Sequence, residues 1–278
     1  MNLLESSVLI WLVSAVAGFL GALTGLGGGV VVTPVLTLLF GVNLRYAMGA
    51  SLVSVIATSS AAASAYLREG FSNIRIGMFL EIATTLGAVV GAFLAPHVPS
   101  AGLAILLGLV LLHSAYLSTL PRRPSETTAV ADALAERLRL GSTYPTPDGD
   151  RRYQVRRVKG GFAMMTGAGI ISGLLGIGSG AFKVIAMDQI MRIPFKVSTT
   201  TSNFMIGVTA AASAGVYLHR GYIDPVLAMP VMLGVTAGSL LGARSLAGAQ
   251  PRVLRLVFGV VVGLLALEMI YSGMTGKF

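Results

Sequence analysis

A Gly-rich interruption of an apolar helix occurs twice in this chain, and the two copies stand in register. GFLGALTGLGGG at 18–29 returns as GIISGLLGIGSG at 169–180, a shift of 151 residues (169 − 18 = 151). Under that one offset the match runs without a gap for roughly 75 residues, the mark of an internal repeat. Gly25 pairs with Gly176, Gly27 with Gly178 and Gly29 with Gly180. Further on, Ser51 pairs with Ser202, Gly87 with Gly238 and Gly91 with Gly242. Two similar halves must therefore each accommodate a broken helix at the same place.

The solvent of those halves follows from composition. The chain is 54% hydrophobic and 11% charged, with mean hydropathy +0.81, whereas soluble domains carry about a quarter charged residues. Its apolar stretches are long enough to need a bilayer, and 35 glycines suit close helix packing there. The net charge of +9 lies mostly in loops beside the apolar segments. There it sets orientation, and no nucleic-acid partner is expected. Cysteine is absent, which excludes disulfides and thiolate metal sites, and no cofactor is expected. The first seven residues carry no Lys or Arg, so the first span is expected to stay rather than be cleaved.

Five apolar segments are read in each half, at 8–24, 29–41, 46–67, 74–95 and 101–119, then 160–175, 180–191, 197–218, 225–244 and 252–272. The second of each half is too short for a full crossing, which needs about 20 residues. The expected fold is an all-α polytopic membrane protein of two inverted repeats, 1–120 and 160–278, joined by a basic linker at 121–159. Within the linker Ser125 is expected to cap a solvated helix running to Leu140, with Gly141 as its stop. Five crossings per half put Arg68, Arg75, the linker cations, Arg192, Lys196, Arg244, Arg252 and Arg255 on the cytoplasmic side. Arg45, Arg220 and Lys277 then face outward. Four crossings would move five of those cations outside, so the positive-inside rule selects five, with both termini outside.

Interrupted hydrophobic segments at matching places in two halves point to a transporter's binding site. Several glycines in one turn disfavour continuous helix, at about 1 kcal/mol each relative to Ala. Helices beginning at Gly29 and Gly180 would aim backbone N–H groups into each break, and such N-termini attract anions. The plainer reading is that the glycines serve only tight helix crossing. Gly25, Gly27, Gly28 and Gly29 of the first break and Gly176, Gly178, Ser179 and Gly180 of the second are the candidate anion-binding backbone. Lys183, three residues past the second break, is a cation inside a span and marks a functional site. Asp188 has a better partner in Arg192, so Lys183 is read as available to neutralise a bound anion; its counterpart is Val32. The polar run STTTSN at 198–203 opens the eighth segment. Its Ser202 and Asn203, with Ser51, could orient a substrate or bond back to the helix. Ser54, Thr58, Ser59 and Ser60 are read as packing. Glu81, His113 and Glu268 could each be a proton-relay group, but they do not cluster and none lies beside a Gly break, so a structural role is expected for each, with Glu81 paired to Arg75 or Arg244.

The signature Gly21-x3-Gly25-Leu-Gly-Gly-Gly29 followed by Pro34-x-Leu36, repeated after a basic linker, resembles the sulfite exporter TauE/SafE family. The resemblance covers 18–119 and 160–272. It implies a bacterial inner-membrane permease for sulfite, organosulfonates or related small sulfur-containing anions, working outward from the cytoplasm. Ser179 and Ile185 depart from the pattern where a glycine and a proline would stand. The expected protein is a non-enzymatic carrier that alternates access to a midplane anion, as a uniporter or coupled to protons. An anion channel or a permease for another small solute is the alternative.

Overall fold

The computed structural model describes residues 3–24, 28–66, 71–119, 132–146, 149–245 and 251–277. Five helices form the first half: α1 (Leu3–Thr24), α2 (Gly29–Phe40), α3 (Leu44–Tyr66), α4 (Ile74–Leu94) and α5 (Ser100–Thr119). The linker holds a short helix α6 (Ala133–Arg137) and a hairpin of β1 (Ser142–Thr146) and β2 (Gly149–Tyr153). The second half comprises α7 (Val158–Leu175), α8 (Gly180–Ile185), α9 (Phe195–His219), α10 (Pro225–Ser245) and α11 (Pro251–Met274). α8 runs on as a π-helical turn, Ala186–Ile190.

Among the described residues six helices are long and apolar enough to cross a membrane: α1, α4, α5, α7, α10 and α11. Their outward stripes are apolar, as in α4, where Ile74, Met78, Ile82, Leu86, Val90 and Phe93 are all exposed. Surfaces of that kind suit lipid, and the chain is a multi-pass membrane protein. α3 and α9 have 23 and 25 residues but are rich in Ser, Thr and Ala. They pack against each other in the interior, so their polar groups meet protein.

Helix pairing is reciprocal between the halves. α1 packs on α10 while α7 packs on α4, and the two fifth helices, α5 and α11, pack together. The glycines that recur at the 151-residue offset sit at these crossings. A Cβ on Gly87 would lie 2.3 Å from the Thr166 carbonyl oxygen, and one on Gly238 would lie 1.8 Å from that of Ala15. Thr166 and Ala15 are themselves repeat mates, so the two contacts are one contact made twice. Packing therefore accounts for the later glycines of the repeat.

The linker departs from the all-α expectation and from the solvated helix. Its described helix starts after Asp132, whose Oδ1 accepts from the Leu134 N–H at 3.2 Å, and it ends at Arg137. Ser125 lies outside the described residues. Gly141 does not stop the helix; it precedes a hairpin whose Ser142 pairs with Tyr153. The linker is also docked. Ala135, Leu140, Tyr153 and Val155 are buried in one apolar cluster with Ile76 and Leu80 of α4, Met187 of the π turn and Val197 of α9. Asn73, the N-cap of α4, donates to the Leu140 carbonyl at 3.0 Å and to the Tyr153 hydroxyl at 2.6 Å. Burial pushes the Tyr153 phenol up to about 12, so it stays neutral in this contact.

Candidate functional site

The two short helices begin where the glycines end. The Gly28 carbonyl accepts from the Val31 and Val32 N–H groups at 3.1 and 3.2 Å, and α2 starts at Gly29. At the second break Gly176 caps α7 with φ 66°, and Gly178 and Ser179 follow at φ 76° and 48° before α8 starts at Gly180. Gly178 has two reasons to be glycine: its positive φ, and Ile206 Cγ2 only 2.7 Å from where a Cβ would stand. Ser179 carries a side chain through the same left-handed turn, at a cost of about 1–2 kcal/mol. Gly25 and Gly27 lie outside the described residues.

Each short helix is held the same way. The Ser51 hydroxyl donates to the Gly29 carbonyl at 3.0 Å, and the Ser202 hydroxyl to that of Gly180 at 3.3 Å. The breaks also converge on α3. A Cβ on Gly29 would stand 2.2 Å from Val55 Cγ2, and one on Gly178 would stand 2.9 Å from Val55 Cγ1. One valine thus touches both interruptions. Asn203, next to Ser202, is buried, and its carbonyl accepts from the Ser59 hydroxyl.

Five buried side-chain polar atoms have no hydrogen-bond partner among the described residues: Thr33 Oγ1, Arg45 Nε, Glu81 Oε2, Ser172 Oγ and Ser179 Oγ. Ser172 and Ser179 flank the second break, Thr33 lies one turn into α2, and Glu81 faces Lys183. Native interiors leave few such atoms, and three of the five are hydroxyls on or beside the helices that meet the breaks.

Lys183 is fully buried, and it is not available in the way its sequence position suggested. Its Nζ lies 3.5 Å from Glu81 Oε2 and donates to the Thr209 hydroxyl. Thr209 in turn donates to Glu81 Oε1 at 2.6 Å. The expected pairing of Glu81 with Arg75 or Arg244 gives way to this one. Arg75 instead donates to the Arg139 carbonyl at 3.4 Å, and the Arg244 side chain lies outside the described residues. A buried carboxylate and a buried ammonium that are brought within reach must pair, because each alone is costly in low dielectric. Asp188 sits in the π turn and Arg192 beyond it at φ 58°.

Most of the polar run at 198–203 is spent on the protein itself. Thr199 donates to the Phe195 carbonyl and Thr200 to that of Lys196, at 2.9 and 3.0 Å, while Thr201 accepts from the Asn73 N–H. Ser54, Thr58 and Ser60 bond back to their own helix and Ser59 bridges to α9, as packing predicted. His113 stacks on Phe182 of α8 at 5.7 Å. Glu81 is read from the sequence as a proton-relay candidate set aside for a structural role, and Thr209, Ser172 and Thr33 are not singled out there. A signal for the first existed in the sequence: Glu81 and Lys183 are isolated opposite charges in apolar segments.

Comparison with known proteins agrees with this architecture. The family model described as sulfite exporter TauE/SafE matches residues 10–269, which takes in both halves and the linker. The probable membrane transporter protein YunE of Bacillus subtilis (strain 168) is 25% identical over 275 residues, covering 96% of this chain and 98% of its own. YjnA of the same organism, also described as a probable membrane transporter protein, is 28% identical over 275 residues, covering 95% and 100%. The probable membrane transporter protein MJ0441 of Methanocaldococcus jannaschii is 23% identical over 277 residues, covering 94% of each chain. No solved structure matches the chain.

Proposed function

The chain belongs to the sulfite exporter TauE/SafE family, and we propose that it carries a small sulfur-containing anion, sulfite or an organosulfonate, across the bacterial inner membrane by alternating access. Backbone N–H groups at Gly27, Gly28 and Gly29 and at Gly178, Ser179 and Gly180 bind the anion. Lys183 neutralises it, Ser179 and Asn203 orient it, and Ser202, through its bond to the Gly180 carbonyl, positions the helix that carries Lys183. The observation that carries this reading is the orphaned buried hydroxyls near the breaks: Thr33 one turn into α2, Ser172 in the last turn of α7 and Ser179 just before α8. Hydroxyls can donate to an oxyanion, and the N–H groups that open a helix attract one.

The halves are read as inverted repeats that rock about this site. Reciprocal helix pairing supports a twofold relation, and an odd number of passes per half would make that relation an inverted one. The linker is then cytoplasmic and both termini are outside, which is also where the Lys and Arg distribution leads. Export is the direction implied by the family's name.

Thermal unfolding of the purified protein with sulfite, methanesulfonate or chloride tests the reading. A ligand that binds only the folded state stabilises it by RT ln(1 + [L]/Kd), about 2.7 kcal/mol at a hundredfold excess over Kd. Sulfite or methanesulfonate should raise the transition where chloride does not. If neither sulfur anion moves it more than chloride, the substrate class is wrong.

A further inference from the structure

The Lys183–Glu81 pair has a consequence for what must accompany the anion. We infer that Glu81 is the proton-coupling group of this carrier: an anion captured by Lys183 releases the Glu81 carboxylate, which takes one proton from water. The inference rests on the anion-carrier reading and adds the proton and the charge of the substrate to it.

Charge balance in a buried place carries the argument. With the ammonium on the carboxylate, the cluster of Lys183, Glu81 and Thr209 sums to zero. Lys183 is fully buried and Glu81 nearly so. An anion arriving at Lys183 would leave the carboxylate as an unpaired buried charge, which is strongly unfavourable. The balanced step is ion pair plus proton plus monoanion, giving a neutral carboxylic acid and an ammonium paired with the anion. The sum is again zero. No bond to sulfur forms or breaks; the proton comes from the aqueous phase open to the site and leaves with the anion on the other side. A single cation matched to a single carboxylate suits a monoanion, a sulfonate or hydrogensulfite.

The surroundings leave Glu81 few other charges. Arg75 and His97 stand at opposite ends of the α4 span, Lys159 is exposed at the start of α7, and Lys196 and His219 sit at the two ends of α9. Asp188 belongs to the π turn and has interactions of its own. Among the described residues Lys183 is the charge within ion-pair distance of Glu81. The Glu81 oxygen that faces it, Oε2, has no hydrogen-bond donor, while Oε1 accepts from Thr209 and from Thr85 at 3.2 Å. The free oxygen is the one placed to receive a proton once Lys183 turns away. Both members depart from the repeat, Glu81 standing opposite Met232 and Lys183 opposite Val32. The coupling device therefore belongs to one side of the twofold only.

Calorimetry of the wild-type protein with methanesulfonate and with sulfite, in buffers of different ionisation enthalpy, counts the protons taken up. Methanesulfonate keeps one negative charge throughout the neutral pH range, so its proton count belongs to the protein. About one proton per methanesulfonate is expected, with affinity falling about tenfold per pH unit at alkaline pH, where the carboxylate must be reprotonated for each binding event. In Glu81→Gln the proton uptake should vanish. Because its amide no longer competes for Lys183 as a charge, alkaline affinity should exceed the wild type about tenfold or more; a merely structural role would lower it. Anion binding by the wild type without proton uptake overturns the inference and leaves the carrier reading standing. Binding of neither anion removes both.

Discussion

The two halves anchor their short helices in the same way and then place different chemistry around them. Ser51 and Ser202 hold the first carbonyl of each short helix in the same way. Seven residues further along, Thr58 bonds back one turn to the Ser54 carbonyl, and its mate Thr209 stands 3.1 Å from the Met205 carbonyl oxygen. From there the halves part. Thr209 belongs to a cluster with Lys183 and Glu81, whereas the equivalents of those two are Val32 and Met232. Gly28 sits in a right-handed turn with φ −66°, and its mate Ser179 is left-handed with φ 48°. Duplication supplied the architecture, and the departures from it supplied charge, strain and orphaned hydroxyls. In a twofold scaffold the functional residues are best sought where the repeat fails to repeat.

The largest expected effect removes one side of the charged cluster. Lys183→Ala leaves Glu81 buried without its partner, a loss of about 3–5 kcal/mol, read as denaturant unfolding in a lipid-like detergent. The double variant Lys183→Met with Glu81→Leu should recover most of that stability and still bind no sulfur anion. Val32→Lys, which puts a cation opposite an apolar set, should be at least as damaging as Lys183→Ala. A stable Lys183→Ala protein would mean that the two halves differ less than their residues suggest.

The next effect is common to both halves. Gly87→Ala and Gly238→Ala each drive a Cβ into a carbonyl of the facing helix, at 2.3 and 1.8 Å. Each should cost about 1–3 kcal/mol, as overpacking does, and the two losses should agree closely. A large disagreement would break the reciprocity of the helix crossings. Sharper still is Ser179→Gly. It removes a left-handed turn bearing a side chain and an unsatisfied buried hydroxyl, so the protein should gain about 1 kcal/mol. If Ser179 orients the substrate, the same variant should bind methanesulfonate more weakly, a gain in stability against a loss of function.

Legibility in the sequence followed the range of the interactions involved. The starts of α2 and α8 at Gly29 and Gly180 were readable because clustered glycines act within one turn. Helix extents were readable to within a few residues, since apolar run length reports them directly. The hairpin was not foreseen, although Pro147, Asp148 and Gly149 form a turn signal between two short polar segments. A helix reading of the linker overrode it. The docking of the linker depends on Asn73, Leu140 and Tyr153 meeting from separate segments, which no local pattern encodes. The Glu81–Lys183 pair joins the two halves. Its clue was the coincidence of two lone opposite charges, each with an apolar residue at the equivalent position of the other repeat.

The smallest effect probes the bond that the halves share most closely. Ser51→Ala and Ser202→Ala each delete one hydroxyl donor to the carbonyl that opens a short helix. A net hydrogen bond of this kind contributes about 0.5–1.5 kcal/mol, so each variant should lose an amount in that range. That carbonyl lies in the first turn of its helix and keeps its place in the backbone ladder, which holds the loss to the lower end. The Ser202 bond is the longer, 3.3 Å against 3.0 Å, so its loss should be the smaller in stability. In methanesulfonate affinity the order should reverse, because Ser202 lies on the side of the charged cluster. Equal effects of the two variants on both readouts would place the anion on the twofold axis, shared between the breaks, and not toward the second.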